Sequence, residues 1–143
     1  MAANPDRLGL RGTFNLIEST LRIIGGANAT GALASGAAFH AFHGNVDAQL
    51  YIKTAGVLFL LGVIAFCVAF AGCFCSAVEA DKSLRLDEGA GAEKILWPNE
   101  TGTVEEIQKQ ARNHFIIAML SGLFSAAFFL FGLLSAIGLA LRL

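Results

Sequence analysis

Charged residues are scarce in this sequence. They make up 15% of its 143 residues, against 55% hydrophobic residues, a balance typical of an integral membrane protein rather than a peripheral one. The net charge is -1 and no basic patch is present, which excludes nucleic acid as a partner because phosphate binding needs clustered basic residues. Two predicted membrane spans leave no room among 143 residues for a separate soluble domain of ordinary size, so residues 1–143 are interpreted as a single membrane domain.

Patterns that carry chemistry are also missing. The sequence has no nucleophile with a plausible base nearby and no phosphate-binding glycine loop. The three cysteines, Cys67, Cys73 and Cys75, share one apolar segment and lack the spacing of a zinc site. They are interpreted as small apolar side chains. The expectation is a protein that is not an enzyme and has no cofactor or metal of its own.

Two long uncharged runs dominate what is present, at residues 54–78 and 115–141. About 20 helical residues cross a hydrocarbon core of about 30 Å, and both runs exceed that length. Each run therefore predicts a transmembrane helix. The polar loop and helix extension between them covers residues 79–114, where Thr103 and Glu106 match a capping box. The last helix is thus predicted to begin in water and to project from the membrane.

A third span is predicted at residues 23–43, which are less apolar but carry no charge. Small residues recur there at helical spacing, which favours close packing of helix backbones. Asn28 would find a hydrogen-bond partner in such an interface. Upstream, residues 4–24 place apolar side chains at spacings of three and four, which predicts an amphipathic helix. That helix lies in the membrane interface, packs on a partner, or forms the wet end of the following helix.

The distribution of basic residues favours three spans over two. Three spans gather eight of the ten lysines and arginines on one side, as expected for the inner face of a membrane. Two spans would divide them almost evenly. The predicted fold is an all-α integral membrane protein with three transmembrane helices, an amphipathic N-terminal helix and a long last helix. Its N-terminus lies inside, toward the cytoplasm or mitochondrial matrix.

Small residues on the three spans are predicted to form the helix-packing surfaces, because they let backbones approach closely. These residues are Gly25, Ala29, Ala32, Gly36, Gly62, Ala65, Ala69, Gly72, Gly122, Ser125 and Gly132. Bulky stripes accompany them, including Phe59, Phe66, Phe70 and Phe74 on the middle span. One pair of possible ligands, His40 and His43, shares a face at the outer end of the first span. The pair is interpreted either as structural or as part of a quinone, haem or lipid site shared with a neighbouring subunit.

These features predict a non-catalytic accessory subunit of a multi-subunit membrane complex. An energy-transducing complex is expected, either of the respiratory chain or an ATP synthase, and hence the mitochondrial inner membrane. A bacterial inner membrane or another organelle membrane is the alternative. The expected partners are other membrane subunits and lipid. Two alternative functions are a homo-oligomeric channel with Asn28, Thr30 and Ser35 along a polar path, and a contribution to the shared site at His40 and His43.

Overall fold

The computed structural model describes residues 5–87 and 104–141, apart from the side chains of residues 5–11, 13–14 and 84–87. These parts of the chain form three α-helices and no β-strand. The helices are α1 (Pro5–Ala41), α2 (Val46–Asp87) and α3 (Val104–Ala140). At 37, 42 and 37 residues, they are about 55 to 63 Å long. The all-helical prediction is confirmed for the described residues.

The turn between α1 and α2 follows from three residues. The backbone N–H of Asn45 donates to the Phe42 carbonyl at 3.2 Å, and Gly44 has a φ of 108°, a left-handed conformation that suits glycine. The Asn45 side-chain oxygen accepts from the Ala48 backbone N–H at 3.0 Å, the geometry of a helix N-cap. The middle helix therefore begins at Val46, well before the uncharged run at residues 54–78.

Helix α1 is continuous. It joins the segments predicted as an amphipathic helix (4–24) and a first span (23–43) without a break, as in the interpretation that the first segment is the wet end of the second. Much of the polar segment at 79–114 is helical as well, because α2 continues to Asp87 and α3 begins at Val104. The predicted cap residue Thr103 lies outside the described residues.

The three helices run up, down and up, with α2 in contact with both neighbours. Gly25 lies beside Phe66 and Ser35 beside Gly56, so α1 and α2 are antiparallel. Helices α2 and α3 are antiparallel too, as Gly72 beside Ala118 and a bond from Ser135 to Tyr51 show. A Cβ added at Gly72, in the second half of α2, would lie 3.1 Å from the Cβ of Ala118, in the first half of α3. The Ser135 hydroxyl, in the second half of α3, donates to the Tyr51 carbonyl, in the first half of α2, at 3.3 Å. The parallel pair, α1 and α3, meets where Leu21 approaches Gly122.

Small buried residues recur at every seventh position along both helices of the α2–α3 pair. A seven-residue repeat keeps one seam facing the partner in a left-handed supercoil, and small side chains on that seam bring the backbones close together. On α2 the repeat is Ala48, Ala55, Gly62, Ala69, Ser76 and Ser83, and on α3 it is Ala111, Ala118, Ser125 and Gly132.

Large apolar side chains point outward from this narrow interior. Leu33, Leu123 and Leu134 are 77%, 64% and 61% exposed. Helix α2 over Val46–Ser83 and helix α3 are long and apolar enough to cross a membrane, and only 28% and 17% of their most apolar stretches is buried. The core helix of a soluble protein would be mostly buried instead. The two helices thus support membrane association.

Candidate functional site: a buried polar junction

One polar contact joins all three helices, and we call Asn28, Gly62 and Ser125 the polar junction. The side chains of Asn28 and Ser125 are fully buried. The Asn28 amide nitrogen donates to the Ser125 hydroxyl and the Ser125 carbonyl, both at 3.1 Å, and lies 3.2 Å from the Ile24 carbonyl of its own helix. The Ser125 hydroxyl in turn donates to the Gly62 carbonyl at 2.8 Å. A relay of hydrogen bonds thus runs from α1 through α3 to α2, and each bond polarises the next.

The orientation of the Asn28 amide follows from its neighbours. Two carbonyl oxygens face the amide nitrogen, and exchanging nitrogen and oxygen would set oxygen against oxygen. The amide oxygen points instead at Gly62, where a Cβ would overlap the amide group. This oxygen is buried without a hydrogen-bond partner; a Cα–H of Gly62 faces it, a contact weaker than an N–H donor provides. The missing side chain at Gly62 therefore leaves a hole on α2, which the Asn28 amide fills.

Aromatic rings of α2 fill further glycine positions above and below the junction. The Phe59 ring lies between Gly31 of α1 and Gly132 of α3, whose hypothetical Cβ atoms would be 2.7 and 2.8 Å from it. The Phe66 ring covers Gly25 at 2.5 Å from the corresponding position. Because real Cβ atoms do not approach this closely, any side chain at these glycines would displace a ring. The interior alternates large residues of one helix with bare backbone of another.

The predicted packing residues fall into three groups. Buried positions are Gly25, Gly62, Ala69, Gly72, Ser125 and Gly132. Half-buried positions are Ala32, Ala65 and Gly122, and exposed positions are Ala29 and Gly36. The face of α1 that meets α2 is therefore Gly25, Asn28, Gly31 and Ser35, which shares Gly25 with the predicted stripe but leaves its Ala29 and Gly36 exposed. The phenylalanine stripe is divided too, since Phe59 and Phe66 enter the bundle whereas Phe70 and Phe74 are exposed.

A second polar contact lies where α2 and α3 extend beyond their most apolar parts. The Ser76 hydroxyl donates to the Ala111 carbonyl at 2.9 Å, and His114 Nδ1 lies 2.8 Å from Glu79 Oε2. The side chains of His114 and Glu79 are 40% and 21% exposed. Sequence reasoning missed this pair, although Glu79 stands three residues after Ser76 of the seven-residue repeat. The contact joins the C-terminal part of α2 to the N-terminal part of α3.

The two predicted ligands, His40 and His43, lie near the α1–α2 turn, at the opposite end of the bundle. His40 and His43 are exposed, His40 edge-on to Phe39. The Lys53 ammonium lies 5.2 Å from the centre of the Phe39 ring, a cation–π contact. Within the described part of the chain, no group of three histidine, cysteine or carboxylate side chains could hold a metal ion. His40 and His43 therefore have no further ligand beside them from these residues.

The residues predicted to line a polar path are not brought together. Asn28 is buried whereas Thr30 is exposed. The Thr30 and Ser35 hydroxyls donate to the Gly26 and Gly31 carbonyls of their own helix, at 2.9 and 2.8 Å. Their hydrogen-bonding capacity is thus used locally, as is common for hydroxyl side chains in membrane helices.

No family model, curated protein or solved structure matches this chain.

Proposed function

We propose that this chain is an integral membrane protein of three spans that serves as a non-catalytic subunit of a larger membrane complex. Two helices support membrane insertion directly by their length and outward apolar side chains. The role follows from what the bundle offers: an interior in which side chains of one helix fill glycine positions of another, and exposed apolar outer faces available for contact. An energy-transducing complex, in the mitochondrial or a bacterial inner membrane, is the context we propose.

The register of α1 against α2 supports α1 as the third span. Asn28 lies level with Gly62, so residues 23–42 run beside about residues 48–68, the N-terminal half of α2. In this register Arg22 is level with Ala69, and Lys53 is level with Phe39. From Lys53 to Ala69 is about 24 Å along the helix, somewhat short of a hydrocarbon core of about 30 Å. Arg22, which is exposed and paired with Glu18, would extend its side chain toward the headgroups.

The observation that best supports a role as a subunit is an exposed face of α1 on which two glycines leave the backbone uncovered. Gly26 and Gly36 are exposed, and a Cβ at either would meet nothing within 4 Å. The exposed residues Ala29 and Leu33 lie between them on the same face. We call Gly26, Ala29, Leu33 and Gly36 the outer strip. Lipid gains nothing from exposed glycine, whereas a neighbouring helix packs closely against it. Another membrane subunit is the occupant we propose.

Co-purification tests this function. The tagged chain is extracted from its native membrane in mild detergent, and bound proteins are quantified by mass spectrometry. We expect stoichiometric membrane partners with the native chain and at least a tenfold loss of them with Gly26→Leu and Gly36→Leu combined. The matched control is Ala71→Leu, which adds the same bulk to an exposed position of α2 and should retain the partners. Recovery of the native chain as a free monomer would contradict the proposal.

A further inference from the structure

We infer that α1 is a conditional span: it crosses the membrane only when docked on a preassembled α2–α3 hairpin, so that residues on α2 and α3 decide where it lies. This inference rests on the proposed membrane function and adds a mechanism to it. The observations that carry it are the unequal character of the helices, the chemistry of Asn28 and the construction of the hole that receives it.

The helices differ in their ability to insert alone. Helices α2 and α3 each meet the length and hydropathy expected of a span, whereas among the described helices α1 does not. Its central part carries Asn28 together with several glycines and hydroxyl residues. The hydroxyls of Thr30 and Ser35 are bonded within the helix, so they need no neighbour. Asn28 needs a neighbouring helix, because at least one of its two amide hydrogens must find an acceptor there.

Both acceptors of Asn28 outside its own helix, the carbonyl and the hydroxyl of Ser125, belong to α3, and α2 completes the docking site by orienting the hydroxyl and supplying the space at Gly62. The Ser125 hydroxyl is held by its own bond to the Gly62 carbonyl at 2.8 Å, which directs its lone pairs toward α1. The hole at Gly62 opens toward α1 as well, because the three atoms nearest to its hypothetical Cβ all belong to Asn28. In the hairpin, the hole at Gly62 and the acceptor at Ser125 therefore lie side by side. The Asn28 side chain of α1 fills the hole and donates to the acceptor.

A second location is open to α1 when docking fails. The N-terminal half of the helix carries Leu16, Ser19, Thr20 and Ile23 outward, and its Glu18 and Arg22 form an ion pair on the surface. A helix with charged and apolar side chains of this kind is stable in the plane of a membrane interface. Loss of docking would therefore leave the N-terminal segment on the side of the α1–α2 turn, while α2 and α3 keep crossing the membrane.

Impermeant maleimide labelling in sealed vesicles of one orientation tests the inference. The full chain carries alanine at the three native cysteines and one new cysteine, either Gly12→Cys or His43→Cys; both positions are exposed. Gly62→Ile fills the hole on α2 and leaves the sequence of α1 unchanged. Ala71→Ile makes a similar change on the exposed side of α2 and is the matched control. A rescue variant combines Gly62→Ile with leucine at Gly26, Thr30 and Gly36, which are exposed and outside the interior.

The expected result is labelling of positions 12 and 43 from opposite sides in the parent chain and the control, from the same side in Gly62→Ile, and again from opposite sides in the rescue variant. Labelling of position 43 from its usual side in every variant reports that α2 and α3 are still inserted. Opposite-side labelling that persists in Gly62→Ile, or a rescue variant that stays on one side, overturns the inference while the three-span proposal stands. Same-side labelling of the parent chain overturns the three-span proposal itself.

Discussion

The side chains of Asn28 and Ser125 meet at 3.1 Å in the interior of the bundle, 97 residues apart in sequence and both fully buried. The Ser125 hydroxyl donates in turn to the Gly62 carbonyl, so the Asn28 amide links the first helix to the other two. Between helices in a membrane, apolar packing specifies orientation weakly, because lipid tails are as apolar as the helix surfaces. A hydrogen bond forms only at one relative position and therefore specifies orientation more strongly. The polar junction thereby sets the relative depth and rotation of three helices at once.

The polar junction predicts energetic coupling between its two side chains. Asn28→Ala and Ser125→Ala should each lower the free energy of unfolding, and the double variant should lose less than their sum by about 1 kcal/mol, the usual size of such bonds in membrane bundles. Unfolding in mixed detergent measures the cycle. Thr30→Ala with Ser125→Ala is the control and should be additive, because the Thr30 hydroxyl bonds to its own helix. Additivity in the Asn28 cycle would contradict the relay.

Adjacent glycines on α1 should respond in opposite ways to the same substitution. Gly25→Ala places a methyl group 2.5 Å from the Phe66 ring and should destabilise the bundle by about 1–3 kcal/mol through overpacking. Gly26→Ala meets nothing within 4 Å and should be neutral or stabilise by up to about 1 kcal/mol, since alanine favours helix. Thermal unfolding in detergent distinguishes the two. Equal effects would show that α1 does not use the face described.

A second pair of glycines makes the same comparison on α3. Gly132→Ala would press on the Phe59 ring at 2.8 Å, whereas Gly138→Ala would meet Tyr51 at an ordinary 3.5 Å. We expect a loss of about 1–3 kcal/mol for the first and little change for the second. Because the strain comes from the ring, Phe59→Leu should relieve part of the loss from Gly132→Ala. A double variant whose loss equals the sum of the two single losses would argue against this contact.

The contact between His114 and Glu79 should contribute modestly. Both groups are partly exposed, so their hydrogen bond is worth at most about 1 kcal/mol. His114→Ala should lower the free energy of unfolding by that amount and have no further effect when Glu79 is already Ala. Asn113→Ala, at an exposed neighbouring position, serves as the control and should change little. A cost of several kcal/mol for His114→Ala would mean that the histidine has partners beyond Glu79.

Sequence reasoning located the helices better than their faces. The uncharged run at residues 54–78 lies within α2, and the run at 115–141 lies within α3 except for Leu141, because length and hydropathy are local properties of the chain. The Asn45 side chain has the geometry of a helix cap at the start of α2, and asparagine is among the residues that favour this position. These features depend on residues close together in sequence, which is why they can be derived without knowledge of the partner helix.

The faces were harder to predict, since a helix rich in glycine and alanine has small residues on more than one side. The predicted stripe on α1 included Ala29 and Gly36, which are exposed. The side that packs is chosen by the Phe59 and Phe66 rings and by Ser125, all remote in sequence. The seven-residue repeat on α2 can be found in the sequence by comparing the sizes of the residues, because its members are small, whereas a comparison of polarity does not single them out.

We propose that all three helices cross the membrane side by side, with the polar junction near the middle. Spin labels at Ala29, Leu61 and Phe124, exposed positions beside the junction on α1, α2 and α3, test it most directly in lipid bilayers. Relaxation by oxygen and by a water-soluble nickel complex reports the depth of each label. We expect three depths that agree within about one helical turn of 5.4 Å, with high access to oxygen and low access to nickel. A label at Ala29 that is shallow and open to nickel, beside deep labels at Leu61 and Phe124, would contradict it.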